Sequence, residues 1–203
     1  MIDYLIVGSG LAGISFAEVA LYHEKSIFVL DNNSQNSSNI AGGLYNPVIL
    51  KRFSEVWKAK EQLELMNDFY ISLEGKLQCK IDFKTPILRK FFSVEEQNNW
   101  FTASDKVALT PFLSTQLIDK KYSGIDSPYG YGEVLQTGYV DTALLLTKYK
   151  EYLKENNLFQ EESFDYDALQ IESYGILYKG KQSILFLLKV LECTPILILM
   201  IYL

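Results

Sequence analysis

The first thirty residues hold two apolar runs and one glycine-rich turn, in an order that predicts a strand, a helix and a second strand. Residues 4–7 form the first apolar run, and residues 11–22 have a helix-like pattern. Residues 26–30 form the second run, which ends on Asp31. This is the pattern of a βαβ unit, in which a helix joins two parallel strands.

The turn between the first strand and the helix carries the glycines of a dinucleotide-binding motif. Gly8 permits a tight turn, Gly10 lets backbone amides approach a pyrophosphate, and Gly13 lets the helix lie close to the strand. The helix N-terminus then presents N–H groups to the phosphates. Asp31, eighteen residues after the third glycine, is placed to accept hydrogen bonds from ribose hydroxyls. The predicted cofactor contacts also include Ser9, Leu11, Ala12 and Asn32.

Residues 49–137 have a mixed pattern, which predicts a separate region of helices and strands. Residues 54–73 predict an amphipathic helix, because their apolar side chains recur at spacings of three and four. Strand-like runs follow at residues 79–92, 107–113 and 132–140.

Aromatic and charged side chains in this region are the available candidates for substrate contacts. Tyr129, Tyr131 and Tyr139 could line a pocket, although tyrosines at this density more often belong to a core. Lys51 and Arg52 could bind a carboxylate, and the alternative is a solvated strand end. No pair of carboxylates has the sequence neighbours expected of an acid and a base, so the catalytic residues stay unassigned.

A helix and a series of short strands follow this region. Asp141 is placed to cap a helix whose apolar stripe runs over residues 143–153, with lysines and glutamates on the other face. Residues 158–162 and 164–178 then predict strands that are broken by glycine, as in a meander.

The segment after Asp31 shows a family resemblance. A polar stretch is followed by small residues and a proline, where a nicotinamide-binding Rossmann domain normally has a helix and a third strand. This segment, together with the Gly-Tyr-Val-Asp sequence at residues 138–141, resembles the D-amino-acid oxidase superfamily of FAD-dependent oxidoreductases. The residues that carry the resemblance in the first segment are Ser37, Ser38, Ala41, Gly42, Gly43, Leu44 and Pro47.

The resemblance implies an α/β fold in two parts. One is a Rossmann-like FAD-binding domain, a parallel sheet with a crossover helix, formed by residues 1–48 and 138–182. The other is an inserted antiparallel α+β substrate domain, formed by residues 49–137. The resemblance covers only the N-terminal part of such an oxidase.

The resemblance also implies where FAD lies. The hydroxyls of Ser37 and Ser38 contact the diphosphate side, and the Ala/Gly backbone at residues 41–43 lies against the flavin ring. Gly42, Gly43 and Leu44 are the predicted cofactor contacts of this run. Phe164 is expected beside the adenine, where relatives usually have valine. These roles are chemically sensible, because short hydroxyls donate to phosphate oxygens and glycine lets the backbone approach a flat ring. In the family, the flavin accepts a hydride from a C–N bond of a small amine or amino acid.

Composition and charge narrow the partners and the setting. A net charge of −6 and the lack of a basic stripe argue against nucleic acid as a partner. Two cysteines, Cys79 and Cys193, and the single histidine, His23, predict neither a disulfide framework nor a metal site. Because the βαβ unit begins at residue 2, we expect no signal or transit peptide and a reducing, cytoplasmic setting. The oligomeric state is left open.

Residues 183–203 are nearly long enough and apolar enough for a membrane span. Lys189, Glu192 and Pro195 lie within the segment, and a charge at that depth costs about 2.5–3.5 kcal/mol. When the segment is back-translated and read in a shifted frame, one allowed solution resembles the family's next strand. We therefore expect a frameshift or truncation near residue 181, with the catalytic C-terminal part missing. A genuine apolar helix is the alternative.

Three classes of function follow from the sequence. The first is an FAD-dependent oxidoreductase of amines or amino acids, either active or an inactive fragment. The second is an NAD-linked Rossmann dehydrogenase. The third is a non-catalytic or membrane-tethered fragment, although the charges in the tail argue against a membrane span.

Overall fold

A computed structural model describes residues 2–34, 37–173 and 175–187 of the 203-residue chain. The chain divides into two compact units. The first unit consists of Met1–Ala41 and Thr142–Leu203, and the second consists of Gly42–Asp141.

Short strands and five helices of unequal length make up these units in the described residues. In chain order, the strands are β1 (Ile2–Val7), β2 (Ile27–Asp31), β3 (Leu44–Tyr45), β4 (Val48–Ile49), β5 (Ser54–Glu55), β6 (Asp82–Lys84), β7 (Ile87–Lys90), β8 (Tyr131–Val134), β9 (Gly138–Val140), β10 (Phe159–Glu161), β11 (Leu169–Glu172), β12 (Gly175–Tyr178) and β13 (Lys181–Leu187). The helices are α1 (Leu11–Tyr22), α2 (Ser37–Ile40), α3 (Ala59–Leu77), α4 (Val94–Ser104) and α5 (Thr142–Glu155), with a 3₁₀ turn at Tyr166–Ala168.

The first unit is built on a six-stranded sheet in the order β10-β2-β1-β13-β12-β11. The first four of these strands are parallel, and β12 and β11 are antiparallel to their neighbours. Leu5 of β1 is in register with Phe28 of β2, and α1 connects these two strands. The predicted Rossmann-like arrangement, a parallel sheet with a crossover helix, is therefore confirmed.

A buried apolar cluster and one buried polar contact hold this unit together. The cluster consists of Leu5, Leu30, Ile176 and Tyr178, each at most 2% exposed. On the helices, the Tyr149 hydroxyl of α5 donates to Glu18 Oε2 of α1 at 3.0 Å. Burial raises the pKa of Tyr149, and the negative charge of the Glu18 carboxylate raises it further, so the hydroxyl stays a donor.

The second unit contains antiparallel strands, as the resemblance implied, together with helices α3 and α4. One sheet has the order β3-β9-β6, and β4 pairs with β5 while β7 pairs with β8. All of these pairs are antiparallel. The α+β character expected for this region is confirmed.

An aromatic residue, Trp100 of α4, lies at the centre of the core of the second unit. Its ring packs edge-on against Phe91 and Phe53, with ring centroids 5.6 and 5.8 Å apart. Its indole Nε1–H donates to the Ser114 carbonyl oxygen at 2.9 Å, so the polar end of the ring is satisfied. The buried residues of this core are Val48, Ala59, Phe91, Trp100, Ala103, Leu109, Phe112, Leu113 and Val134.

Two local predictions for this region differ from the structure, and one helix was not predicted. The helix predicted from residue 54 begins at Ala59, because β5 pairs with β4 and Lys58 has a positive φ of 50°. The strand predicted at residues 107–113 is wrong, since residues 107–112 form consecutive turns. Helix α4 was not predicted, although Ser93 caps it by accepting the Glu96 N–H at 3.1 Å.

The C-terminal segment lies partly within the described residues. β13 ends at Leu187, so residues 183–187 of the apolar tail form a strand beside β1. The rest of the tail prediction concerns residues 188–203, which lie outside the described residues. None of the helices in the described part of the chain is long and apolar enough to cross a bilayer.

Two glycines of the second unit give opposite predictions for stability. A Cβ at Gly132 would lie 2.4 Å from Trp100 Cε2, so Gly132→Ala should lower the free energy of unfolding by about 1–3 kcal/mol. A Cβ at Gly75 in α3 meets no atom within 4 Å, so Gly75→Ala should raise it by about 0.5–1 kcal/mol. Urea denaturation followed by tryptophan fluorescence measures both. A Gly132→Ala protein as stable as wild type would contradict the close packing around Trp100.

Candidate functional site

The turn from β1 to α1 is built by glycines that bring the backbone into close contact. Gly8 has a positive φ of 101°, and its N–H donates to the Leu30 carbonyl oxygen at 2.7 Å. A Cβ at Gly13 would lie 2.0 Å from the Gly8 carbonyl oxygen, so no side chain fits there. The first turn of α1 therefore lies directly against the end of β1, as the glycine motif predicted.

Ser38 lies at the N-terminus of α1. Gly10 is the N-cap residue, and the Leu11 N–H donates a long hydrogen bond of 3.5 Å to Ser38 Oγ. A Cβ added to Gly10 would lie 3.3 Å from the same oxygen. The short helix α2 thus returns one of the two predicted serine hydroxyls to the glycine turn, and Ser37 is exposed at its start.

Asp31, at the end of β2, accepts hydrogen bonds through both carboxylate oxygens. Oδ2 accepts the Ser9 N–H at 2.6 Å and the Ser9 hydroxyl at 2.5 Å. Oδ1 accepts the Asn33 N–H at 2.8 Å. A carboxylate has about four lone-pair directions, so three bonds leave acceptor capacity for a further donor such as a ribose hydroxyl.

The surroundings of Asp31 favour its ionised form. Burial alone would raise its pKa, but the bonds from the Ser9 hydroxyl, the Ser9 N–H and the Asn33 N–H outweigh burial. The positive charge of Lys150 acts in the same direction as these bonds. The pKa of Asp31 is therefore lowered, and at neutral pH the side chain is a charged acceptor.

The segment after β10 lies beside Asp31 and Asn32. The Glu162 N–H donates to the Asp31 carbonyl oxygen at 3.0 Å, and Asn32 Nδ2 donates to Ser163 Oγ at 3.0 Å. Phe164 follows, and its ring stacks on Tyr178 with centroids 4.6 Å apart. Asn32 and Phe164 were among the predicted cofactor contacts. Ser163 was not, because only the pairing of β10 with β2 brings it beside Asn32.

The predicted cofactor-contact residues 42–44 belong to the second unit. Gly43 has a positive φ of 62°, and a Cβ there would lie 1.9 Å from the Val140 carbonyl oxygen. The Val140 N–H donates to the Gly43 carbonyl oxygen at 3.0 Å. Contact with β9 therefore already requires glycine at position 43. Gly42 has open space around its missing Cβ, and Leu44 is 70% exposed.

The candidate substrate residues of the second unit differ in their exposure, and Tyr129 is 36% exposed. Lys51 and Arg52 are exposed in the turn between β4 and β5. Tyr131 is buried, and its hydroxyl has no hydrogen-bond partner within the described residues. Tyr139 is partly exposed, and its ring stacks on Phe83 with the two ring centroids 5.0 Å apart.

The second unit also contains a cleft of about 530 Å³ beside α3. It combines apolar side chains with the charged side chains of Glu64, Lys84 and Glu133. None of the residues that line it belongs to the predicted cofactor contacts. Among residues 2–34, 37–173 and 175–187, no three His, Cys, Asp or Glu side chains form a group that could hold a metal ion.

The bonds to Asp31 predict a specific dependence of stability on pH. Because the pKa of Asp31 is lowered in the folded chain, its contribution is full above the ordinary pKa of about 3.9 and is lost as the pH falls through the folded value. Asp31→Asn should lower the free energy of unfolding by about 1–2 kcal/mol at pH 7. The difference from wild type should shrink below pH 4. Urea titrations from pH 3 to 7 measure it, and a constant difference would contradict the role given to the charge.

Solved structures of amino acid oxidases and deaminases share this fold. Glycine oxidase from Geobacillus kaustophilus matches with a TM-score of 0.63 at 16% identity, over 91% of this chain and 54% of that chain. Glycine oxidase from Bacillus cereus matches with a TM-score of 0.62 at 17% identity, over 87% of this chain and 52% of that chain. L-amino acid deaminase from Proteus vulgaris matches with a TM-score of 0.64 at 14% identity, over 92% and 46% of the two chains.

No model of a known protein family matches the sequence. The chain spans about half of the length of the solved structures that it matches. The fold that the resemblance implied is confirmed, because the glycine oxidases and the L-amino acid deaminase named above share it. The chain thus has the fold of these enzymes over about half of their length.

Proposed function

We propose that the chain binds FAD, as the N-terminal part of a flavoprotein that oxidises small amines or amino acids. The observation that carries the proposal is the meeting of three features at the N-terminus of α1. Gly10 has no side chain and lies close to Ser38, Ser38 brings a hydroxyl, and the Ser9 hydroxyl donates a hydrogen bond to the ribose-type acid Asp31.

The residues present fit the diphosphate of a dinucleotide. The first turn of α1 contains Leu11, Ala12 and Gly13, so no acidic side chain opposes a phosphate there. The backbone N–H groups and the positive end of the helix dipole favour an anion at this position. Ser38 Oγ, within 3.5 Å of the Leu11 nitrogen, is placed to donate to a phosphate oxygen.

The residues also fit an adenosine on one side of the diphosphate. Asp31 has remaining acceptor capacity for ribose hydroxyls, and its lowered pKa keeps it charged. The backbone from Glu162 to Phe164 follows directly, since the Glu162 N–H is bonded to the Asp31 carbonyl oxygen. We assign the adenine to this segment. The resemblance implies that the flavin ring lies against the backbone of Ala41, Gly42 and Gly43.

The chemistry of the proposed protein is hydride transfer. A bound flavin would accept a hydride from the carbon of a C–N bond, and the chain would hold and orient the cofactor. The names of the matching structures, which include glycine oxidase and L-amino acid deaminase, support an amine or amino acid as substrate. In the superfamily, the substrate-fixing residues lie beyond the region of resemblance, so cofactor binding is the activity to measure on this chain.

The composition of the chain supports a proposal about its partners and its cellular compartment. The net charge of −6 speaks against a nucleic-acid partner, and two cysteines in 203 residues fit a reducing, cytoplasmic setting.

The choice of cofactor separates this proposal from an NAD-linked dehydrogenase. Protein refolded with excess FAD should keep a yellow flavin after gel filtration, with the absorption spectrum of a bound flavin. Isothermal titration calorimetry with FAD and with NAD gives the two dissociation constants under the same conditions. Preferential binding of NAD would overturn the flavin assignment.

A substitution at Gly10 tests the diphosphate site, because the added side chain meets only the Ser38 hydroxyl, at 3.3 Å from the Cβ. Gly10→Val should weaken FAD binding about tenfold or more, because its side chain occupies the space of the pyrophosphate. The fold should tolerate the change better than a change at Gly13, where a Cβ would lie 2.0 Å from a carbonyl oxygen. Gly75→Ala, in α3 of the second unit, is the matched control and should bind FAD like wild type. Unchanged affinity in a folded Gly10→Val protein would exclude this site.

A further inference from the structure

A lysine of α5 contacts Asn33, one of the residues whose hydrogen bonds hold Asp31. Lys150 Nζ donates a hydrogen bond to Asn33 Oδ1. The Asn33 N–H in turn donates to Asp31 Oδ1 at 2.8 Å. Asp31 is thus held from two sides, by Ser9 on Oδ2 and by Asn33 on Oδ1.

The backbone of Asn33 explains why a side-chain anchor is useful there. Its φ is 57°, in the left-handed region that asparagine adopts more readily than most residues. The residue is exposed, so the segment after β2 gains little from burial. The bond from Lys150 connects this segment to a helix whose Tyr149 is buried against α1.

Charged groups on two elements, β10 and α5, lie near Asp31. On β10, Glu161 is in register with Asp31, and Lys154 Nζ lies 4.0 Å from a Glu161 oxygen. On α5, Lys150 adds a positive charge that lowers the pKa of Asp31. Two lysines of one helix therefore face two carboxylates at the ends of neighbouring strands.

Lys154 matches Lys150 in its charge and in its contact with the Phe159 ring, but it lies near Glu161, whereas Lys150 is bonded to Asn33. The two lysines lie one turn apart on α5, and their Nζ atoms lie 5.4 and 5.6 Å from the centroid of the same Phe159 ring. Replacing either one removes one positive charge and one contact with Phe159. Only replacement of Lys150 removes the hydrogen bond to Asn33.

We propose that Lys150 is a positioning residue for the nucleotide: through Asn33 it orients the Asp31 carboxylate that receives the ribose hydroxyls. The proposal rests on the proposed FAD site and adds a residue outside the glycine motif and the serine loop. It assigns to α5 a role in the affinity and ribose selectivity of the site.

Binding of FAD, ADP and 2′-deoxy-ADP to four proteins tests the proposal by calorimetry. Lys150→Met should weaken FAD and ADP about three- to fivefold, which is the loss expected for one partly exposed charged contact. It should also reduce the preference for ADP over 2′-deoxy-ADP, because the lost orientation concerns the ribose. Lys150→Arg should restore most of the affinity, and the control Lys154→Met should stay within about twofold of wild type.

A second readout does not need a bound nucleotide. The pKa of the Asp31 carboxyl, followed by NMR, should rise in Lys150→Met and rise less in Lys154→Met and Lys150→Arg. If wild type binds FAD but Lys150→Met binds it with the same affinity as Lys154→Met, the role of Lys150 is overturned while the FAD site stands. If wild type binds no FAD, the proposed function fails. An Asp31 pKa that is the same in Lys150→Met and wild type would then overturn the positioning role as well.

Discussion

The approach of α1 to the end of β1 is the contact on which the candidate site depends. Because Gly13 has no side chain, the helix begins against the Gly8 carbonyl oxygen, where a Cβ would lie only 2.0 Å away. This approach places the N–H groups of the first helical turn at the carboxyl edge of the parallel sheet, where ligands of such folds bind. Ser9, in the same turn, reaches Asp31 on the neighbouring strand. A larger residue at position 13 would push α1 away from the end of β1 and so displace both the N–H groups of its first turn and Ser9.

Local patterns predicted the elements of the first unit well. The helix expected at residues 11–22 is α1 (Leu11–Tyr22), and the stripe over residues 143–153 lies within α5. In the second unit, tertiary pairing overrode local pattern. Ser54 and Glu55 continue a helical pattern in sequence, yet they pair with β4. The apolar residues at 107–113 pack into the Trp100 core from consecutive turns, a conformation that their spacing does not distinguish from a strand.

The contacts of the site that no sequence pattern predicted join distant residues. Lys150 and Asn33 are 117 positions apart, and Asn32 and Ser163 are 131 apart. The first pair forms because α5 packs on α1, and the second because β10 adds to the sheet beside β2. Gly43 shows the converse difficulty. Its place in a family-like segment indicated a cofactor contact, while the structure gives it a packing reason at Val140. One glycine can satisfy both requirements, so the motif alone does not separate them.

The register of β13 beside β1 has a consequence for synthesis of the chain. Ile2 is in register with Ser183, so β1 gains its second neighbour only after nearly the whole described chain has been made. The second unit, Gly42–Asp141, is continuous and has all its strands by then. A nascent chain therefore completes its second unit while β1 still has one unpaired edge. An unpaired strand edge is a template for pairing with other chains, and we expect this interval to be the one most exposed to aggregation during translation.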